Sequence, residues 1–360
     1  MNPKAPIQRS TTFCLFLCIL LPLIYLTPLA THPLLEPDEG RYAEIPREML
    51  ESGDFVTPKL NHVHYFEKPA LLYWANAASF KLFGENEFAA RFPSALAAMG
   101  GILATGLLAS ALFGRLCGLL AATILGTSLL YVAIGTINLT DMPLSCFLTL
   151  AMASFYADVR LGGRRYRLLF YVAMALGTLT KGLVAIVLPM GVVFWYIVLG
   201  RKWSLVRRLF YIPGILAFFG LVVPWFYLVC RENPDFFHFF FIQEHFLRYA
   251  TQMHDRYEPF WYFVPILLAG TMPWTPCLFG LLGKKSALRK PETPQAKDAN
   301  LFLLLWFGVV FLFFSASGSK LIPYVVPCLP PLSILMASNL ERTVRANAPS
   351  RSIQGCIATN

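Results

Sequence analysis

Two short stretches of the chain concentrate side chains that do charge chemistry. Pro37-Asp38-Glu39-Gly40-Arg41-Tyr42-Ala43-Glu44 is followed by Tyr65-Phe66-Glu67-Lys68-Pro69, so acids, two cations and tyrosines come directly after an apolar run. Paired acids beside a Lys and an Arg at a water–lipid boundary suit a charged substrate that is itself part lipid. Asp141 before Pro143, Lys181 before Gly182, Glu244-His245 with Arg248-Tyr249, and Lys320 with Tyr324 extend the set. Most have a plainer structural use. Asp38 after Pro37 and Asp141 before Pro143 are placed to cap helices, and Lys181 and Lys320 are placed to snorkel from span ends to headgroups. Lys68 is the strongest cation, because its neighbours are acid and apolar rather than a basic cluster. Lys320 sits between Ser315-Ala316-Ser317-Gly318-Ser319 and Pro323-Tyr324. That irregular lead-in to a helix brings backbone and a cation toward an anionic group.

These residues must be positioned by a membrane bundle. The 360 residues are 56% hydrophobic, 15% aromatic and only 14% charged, which specifies an all-α, polytopic integral membrane protein. At about 20 residues per crossing, ten spans are expected at 13–30, 93–113, 118–135, 142–157, 168–180, 182–199, 209–229, 259–282, 299–315 and 321–339. With the N-terminus inside, 19 of the 30 basic residues but only 4 of the 20 acidic ones fall in inner segments. The basic net charge is therefore an orientation signal, and nucleic-acid binding is not needed to explain it. All six histidines and every acidic motif named above lie on the outer side.

Residues 31–92 form a long first outer loop. Within it Tyr42, Ile45, Met49 and Leu50 repeat at helical spacing against charged positions, the pattern of a helix lying in the interface. Pro69 to Phe83, ending at Gly84, is too short for a crossing and reads as a second helix lying flat or dipping in. The second long outer loop, 230–258, is packed with phenylalanines, which suit a membrane interface in any case. Residues 283–300, with lysines and prolines and no periodicity, read as a flexible inner linker. Eight cysteines without metal-type spacing imply no disulfide framework. The first apolar run reads as a retained helix rather than a cleaved signal.

In combination, the Pro37–Ala43 and Tyr65–Pro69 motifs, Ser52-Gly53-Asp54-Phe55-Val56-Thr57-Pro58, Ala90-Arg91-Phe92-Pro93-Ser94, Asp141-Met142-Pro143, Thr180-Lys181-Gly182, Glu244–Tyr249 and Ser319–Pro327 resemble the bacterial lipid A aminoarabinose transferases. These are part of the protein-mannosyltransferase-like clan of integral-membrane glycosyltransferases with the GT-C type of fold. The resemblance implies a polyprenyl-phosphate sugar donor, an active site at the periplasmic face of the inner membrane, and transfer to lipid A phosphates. It puts the key carboxylate on Asp38, a second acid on Asp141, phosphate-contacting cations on Lys68 and Arg248, and an aromatic hydroxyl near the phosphate on Tyr324. Lys320 and Arg41 complete the basic set. A divalent metal in relatives would map to Glu67 and His245, and no nucleotide cofactor is implied. Relatives carry further helices and a soluble C-terminal periplasmic domain; here residues 1–340 read as the membrane domain and 341–360 as a short unstructured tail.

The chemistry fits these residue types. A sugar bonded to a lipid phosphate carries its own leaving group, so cations near the scissile oxygen do what a nucleotide diphosphate does elsewhere. A hydroxyl acceptor would need a carboxylate as general base; an anionic lipid A phosphate needs orientation instead, leaving Asp38 and Asp141 to bind the sugar's ammonium or a metal. Another sugar or a protein or glycan hydroxyl acceptor is the alternative within the clan. A transporter would place its polar groups near mid-membrane in paired halves, whereas this chain keeps its acids on one face.

Overall fold

The computed structural model describes residues 19–247, 258–283, 286–288 and 290–347. Helix α1, Ile19–Ala30, leads to α2, Asp38–Ser52, and a two-stranded ribbon of β1, Lys59–Leu60, and β2, Val63–His64. Helices α3 (Leu71–Phe83), α4 (Glu87–Phe113), α5 (Arg115–Gly126), α6 (Leu129–Gly135), α7 (Asp141–Leu161) and α8 (Arg164–Lys181) follow. Then come α9 (Val184–Gly200), α10 (Ser204–Leu209), α11 (Ile212–Glu232), the π-helix α12 (His238–Leu247), α13 (Phe263–Gly270), α14 (Thr275–Gly280) and α15 (Pro294–Ala316). A 3-10 segment, Ile322–Cys328, runs into α16, Leu329–Asn347. Among the described residues, five helices are long and apolar enough to cross a membrane, in α4, α7, α11, α15 and the stretch ending in α16. The pair α5 and α6, bent by 65°, makes a sixth if it is one span. The chain is a multi-pass membrane protein.

The outer platform forms as its periodicity requires. Tyr42, Ile45 and Met49 on α2 bury one face against Tyr65 and Tyr73, while Arg47 lies between Glu44 and Glu51 on the other. Gly53, at φ 70°, takes the left-handed position that ends α2 and returns its N–H to the Met49 carbonyl. The ribbon turns through Asn61 and His62, both at positive φ, as a two-residue hairpin requires. The His62 N–H donates to the buried carboxylate of Glu48, which pins the ribbon to α2.

Four expectations change. Residues 259–282 are not one helix but α13 and α14, separated at Pro273, which cannot donate the next helical bond. The stretch 283–300 is not all linker: Thr293 accepts from the Ala296 N–H and caps α15 ahead of Pro294. The second outer loop contains the end of α11 and all of α12. Residues 341–347 are not an unstructured tail, since α16 continues to Asn347; residues 348–360 lie outside the described residues.

Candidate active site

The platform is tied to the bundle by one buried ion pair. Glu39 on α2 meets Arg91 on α4 through two bonds, Nε to Oε1 at 2.9 Å and Nη2 to Oε2 at 2.8 Å. Arg91 spends its other N–H groups on the carbonyls of Leu29, His32 and Pro33, so all five guanidinium donors are satisfied. Glu39 also accepts from the Leu35 and Asn138 backbone N–H groups. Burial alone would raise the Glu39 pKa, but the bonds from Arg91 and the two amides lower it overall. The pair thereby fixes both the start of α2, where Asp38 sits, and the turn before α7, where Asp141 sits. Asn76 of α3 braces the same place, donating to the Tyr42 carbonyl and to Asn138 Oδ1.

Asp38 and Asp141 are not helix caps. The residues at the cap positions are Pro37 and Thr140, neither with a side-chain capping bond. Asp38 is half exposed and lies 3.6 Å from Arg41, and the charges that act on the Tyr65 hydroxyl are those of Glu67 and Arg41. Burial and the neighbouring Glu67 charge push the Tyr65 hydroxyl well up, so it stays a neutral donor. Tyr42 is raised too, first by burial and then by Tyr65, Asp141, Asp38 and Glu67. Acids from α2, the ribbon exit and α7 therefore surround one tyrosine.

Lys68 borders this cluster. Its ammonium lies 3.9 Å from Glu67 and 3.8 Å from Glu244 of α12, and donates to the Glu67 carbonyl at 2.8 Å. The phenylalanines bring α12 there. Phe236 and Phe240 are fully buried and stacked at 5.2 Å, and Phe66 meets Phe236 edge-on at 5.2 Å. Trp74 and Trp225 donate their indole N–H groups to the successive carbonyls of Phe55 and Val56, and Asn233 donates to Thr57. The aromatic run is thus a core between the two outer loops, a tighter role than an interface belt.

Lys181 is not a snorkelling residue. It ends α8 with its ammonium 2.5 Å from Asp141 and 4.6 Å from the centre of the Tyr324 ring, joining α7, α8 and the 3-10 segment. Lys320 is buried and donates to the carbonyls of Ser317 and Glu258, each at 2.8 Å; burial lowers its pKa, opposed by Glu258. In this state it holds the lead-in loop together. Arg248 and the side chain of His245 lie outside the described residues.

The structure thus brings Asp38, Arg41, Glu67, Lys68 and Asp141 around Tyr42 and Tyr65, with Tyr324 tied to Asp141 through Lys181. As for a metal, no group of three His, Cys, Asp or Glu is suitably placed among the described residues. Glu67 has the Lys68 ammonium 3.9 Å away, and the side chain of His245, the other residue of the expected metal pair, lies outside the described residues. Sequence reasoning passed over Glu39, Arg91 and Lys181 as site residues. The sequence holds one general sign, that an Arg and a Lys at the ends of apolar helices need partners, but it does not say which acids they meet.

The family model for dolichyl-phosphate-mannose-protein mannosyltransferases matches residues 10–240. The undecaprenyl phosphate-alpha-4-amino-4-deoxy-L-arabinose arabinosyl transferase of Aeromonas hydrophila is 39% identical over 356 residues, covering 92% of this chain and 62% of that protein. Its counterpart designated 1 in Proteus mirabilis is 38% identical, covering 93% and 60%. The crystal structure of ArnT from Cupriavidus metallidurans bound to undecaprenyl phosphate superposes with a TM-score of 0.84 at 33% identity, covering 97% of this chain and 63% of that one. The archaeal oligosaccharyltransferase AglB from Archaeoglobus fulgidus, at TM-score 0.60 and 14% identity, shares the fold. This chain spans about 60–62% of the length of these two curated relatives.

Proposed function

The chain belongs to the dolichyl-phosphate-mannose-protein mannosyltransferase family, and from that premise we propose that it serves as a glycosyltransferase for a polyprenyl-phosphate sugar donor. The specific reading is transfer of 4-amino-4-deoxy-L-arabinose from undecaprenyl phosphate to a lipid A phosphate, at the periplasmic face of a bacterial inner membrane. The observation that carries it is the junction of Lys68 and Arg41 with the acid and tyrosine cluster at one edge of the bundle. The named relatives, one solved with undecaprenyl phosphate bound, support the choice of donor.

In this reading the bond between the anomeric carbon and the phosphate oxygen breaks, and its electron pair stays on that oxygen. Lys68 and Arg41, which border the acid and tyrosine cluster, stabilise the growing charge; one well-placed group of this kind is worth about 10²–10³ in rate. An anionic oxygen of the acceptor phosphate forms the new bond to the anomeric carbon, so no proton has to leave it. Asp38, the more exposed acid, receives the sugar's ammonium. Asp141, neutralised by Lys181, shapes the far wall.

The test is a reconstituted transfer reaction with purified chain in lipid nanodiscs, undecaprenyl-phosphate aminoarabinose and lipid A, read by mass spectrometry. Lipid A gaining one aminopentose with wild type, and none with Asp38→Asn at equal protein level, is the expected result. Sugar appearing only on an added hydroxyl acceptor would replace lipid A phosphate as the acceptor. Full transfer by Asp38→Asn would remove that residue from the site.

A further inference from the structure

A cavity of about 100 Å³ lies between the start of α15 and the end of α16, with Phe113 at the end of α4 in its wall. It sits at the end of the bundle opposite the acid and tyrosine cluster. Helix α15 starts at the cavity and ends at Ala316, before Lys320, and near its start Asp298 accepts from the Tyr156 hydroxyl, far along α7 from Asp141. The volume is several times what one water needs, about 10–15 Å³, and well below the roughly 300–1,000 Å³ of pockets that enclose drug-sized ligands. Such a space admits a small polar group.

Two acids and two arginines line it. Arg342 meets Glu292 at 3.3 Å, and Arg345 meets the buried Glu341 at 2.6 Å. Asn300, also in the wall and 6% exposed, donates from Nδ2 to the Ala287 carbonyl at 3.0 Å, which fixes the orientation of its amide. Its Oδ1 then has no partner among the described residues. Asn339 of α16 accepts from the Ala287 N–H at 3.0 Å, so both helices hold the same wall residue. A buried acceptor without a donor is destabilising and calls for an explanation. What it lacks is an N–H or O–H group.

The formal charges of the wall cancel, so a ligand of one sign would leave an acid or an arginine unpaired, whereas a zwitterion gives each a new partner of the stronger, charge-assisted kind. The cavity also lies where two spans end, at the level of lipid head groups. Val344, between the two arginines in sequence, is exposed and apolar, as contact with an acyl chain requires. We propose that this cavity binds a head group of the phosphoethanolamine type, its ammonium on Asn300 Oδ1 and Glu341 and its phosphate on Arg342 and Arg345. The site is separate from the donor site and does not depend on the donor reading. No covalent change is involved.

The test uses the full chain, delipidated in detergent and titrated with phosphatidylethanolamine, phosphatidylglycerol or phosphatidylcholine, with bound lipid counted by native mass spectrometry. Phosphatidylethanolamine should bind about tenfold more tightly than phosphatidylglycerol, which has no ammonium, the worth of one hydrogen bond to a charged group. Phosphatidylcholine, whose nitrogen carries no N–H, should lose the same factor. Glu341→Gln should remove the preference without weakening phosphatidylglycerol, and Arg342→Gln should weaken both. Because Glu341 is buried, Ser338→Leu supplies a second arm: it fills the cavity that Ser338 lines and spares every ion pair, so it should abolish the preference without lowering the thermal midpoint. Soluble phosphoethanolamine separates two sources of the same chemistry. Displacement of the lipid would support recognition of the head group alone, and failure to displace it would support a membrane lipid as the occupant. Equal binding of the three lipids by wild type, or a preference that survives both Glu341→Gln and Ser338→Leu, overturns the proposal and leaves the cavity to water.

Discussion

Replacing Arg91 by Met tests whether one buried ion pair holds the two halves of the site in register. Arg91 is fully buried, and its removal leaves the Glu39 carboxylate, 2% exposed at the side chain, with only the Leu35 and Asn138 amides. It also strips the carbonyls of Leu29, His32 and Pro33 of their guanidinium donors. Breaking a buried pair from one side costs about 3–5 kcal/mol. At roughly 2 °C per kcal/mol for a large chain, the thermal midpoint should fall by about 6–10 °C. Adding Glu39→Gln removes the stranded charge, so the double variant should be more stable than Arg91→Met alone, a non-additivity expected only of contacting groups. Arg91→Lys should recover a minority of the loss, since an ammonium cannot reach both carboxylate oxygens and three carbonyls at once. Catalytic loss should track the midpoint, because the same pair sets the start of α2 and the turn before α7. The assay is scanning fluorimetry in detergent with parallel transfer measurements. A midpoint drop under about 2 °C for Arg91→Met, or strictly additive effects of the two substitutions, would refute the reasoning.

The same pair predicts a pH signature. Glu39 has a depressed folded pKa, so its stabilisation is complete above the unfolded value of about 4.3 and is lost as pH falls through the lower folded value. Glu39→Gln should flatten that acid limb of the stability profile while leaving the neutral-pH slope alone. Lys181→Met should cost transfer activity and stability together by leaving Asp141 buried without its partner, and Asp141→Asn should restore stability but not rate; restored rate would demote Asp141 to scaffolding. Phe240→Ala, which empties a fully buried ring position stacked on Phe236, should destabilise by about 3–5 kcal/mol and weaken donor binding by loosening Glu244 beside Lys68. Donor affinity that stays intact in this variant would show that α12 does not position Lys68.

The helical membrane fold was readable because apolar length and charge asymmetry are properties of single segments. The α2 face of Tyr42, Ile45 and Met49 was readable for the same reason, as was the stop at Gly84. What sequence could not supply was pairing across distance. Lys181 has the spacing of a snorkelling residue, and only the packing of α7 against α8 reveals that it faces Asp141. Arg91 stands among apolar neighbours with no local sign of Glu39. Phe236 and Phe240 fit an interface belt equally well until Phe66 and Trp225 are seen against them. The partial linker reading of 283–300 failed for a local reason: Thr293 and Pro294 are a helix start placed ahead of the apolar periodicity.

In the proposed function, Lys68 holds the lipid phosphate of the donor at the junction of the two outer loops. Its most direct test is equilibrium binding of undecaprenyl phosphate to the 360-residue chain in nanodiscs, comparing wild type with Lys68→Ala at matched thermal midpoints. Wild type should bind saturably, and the substitution should weaken binding about tenfold or more, as expected for a charge-assisted hydrogen bond worth about 1.5–3 kcal/mol. Equal affinity in the two proteins would contradict it.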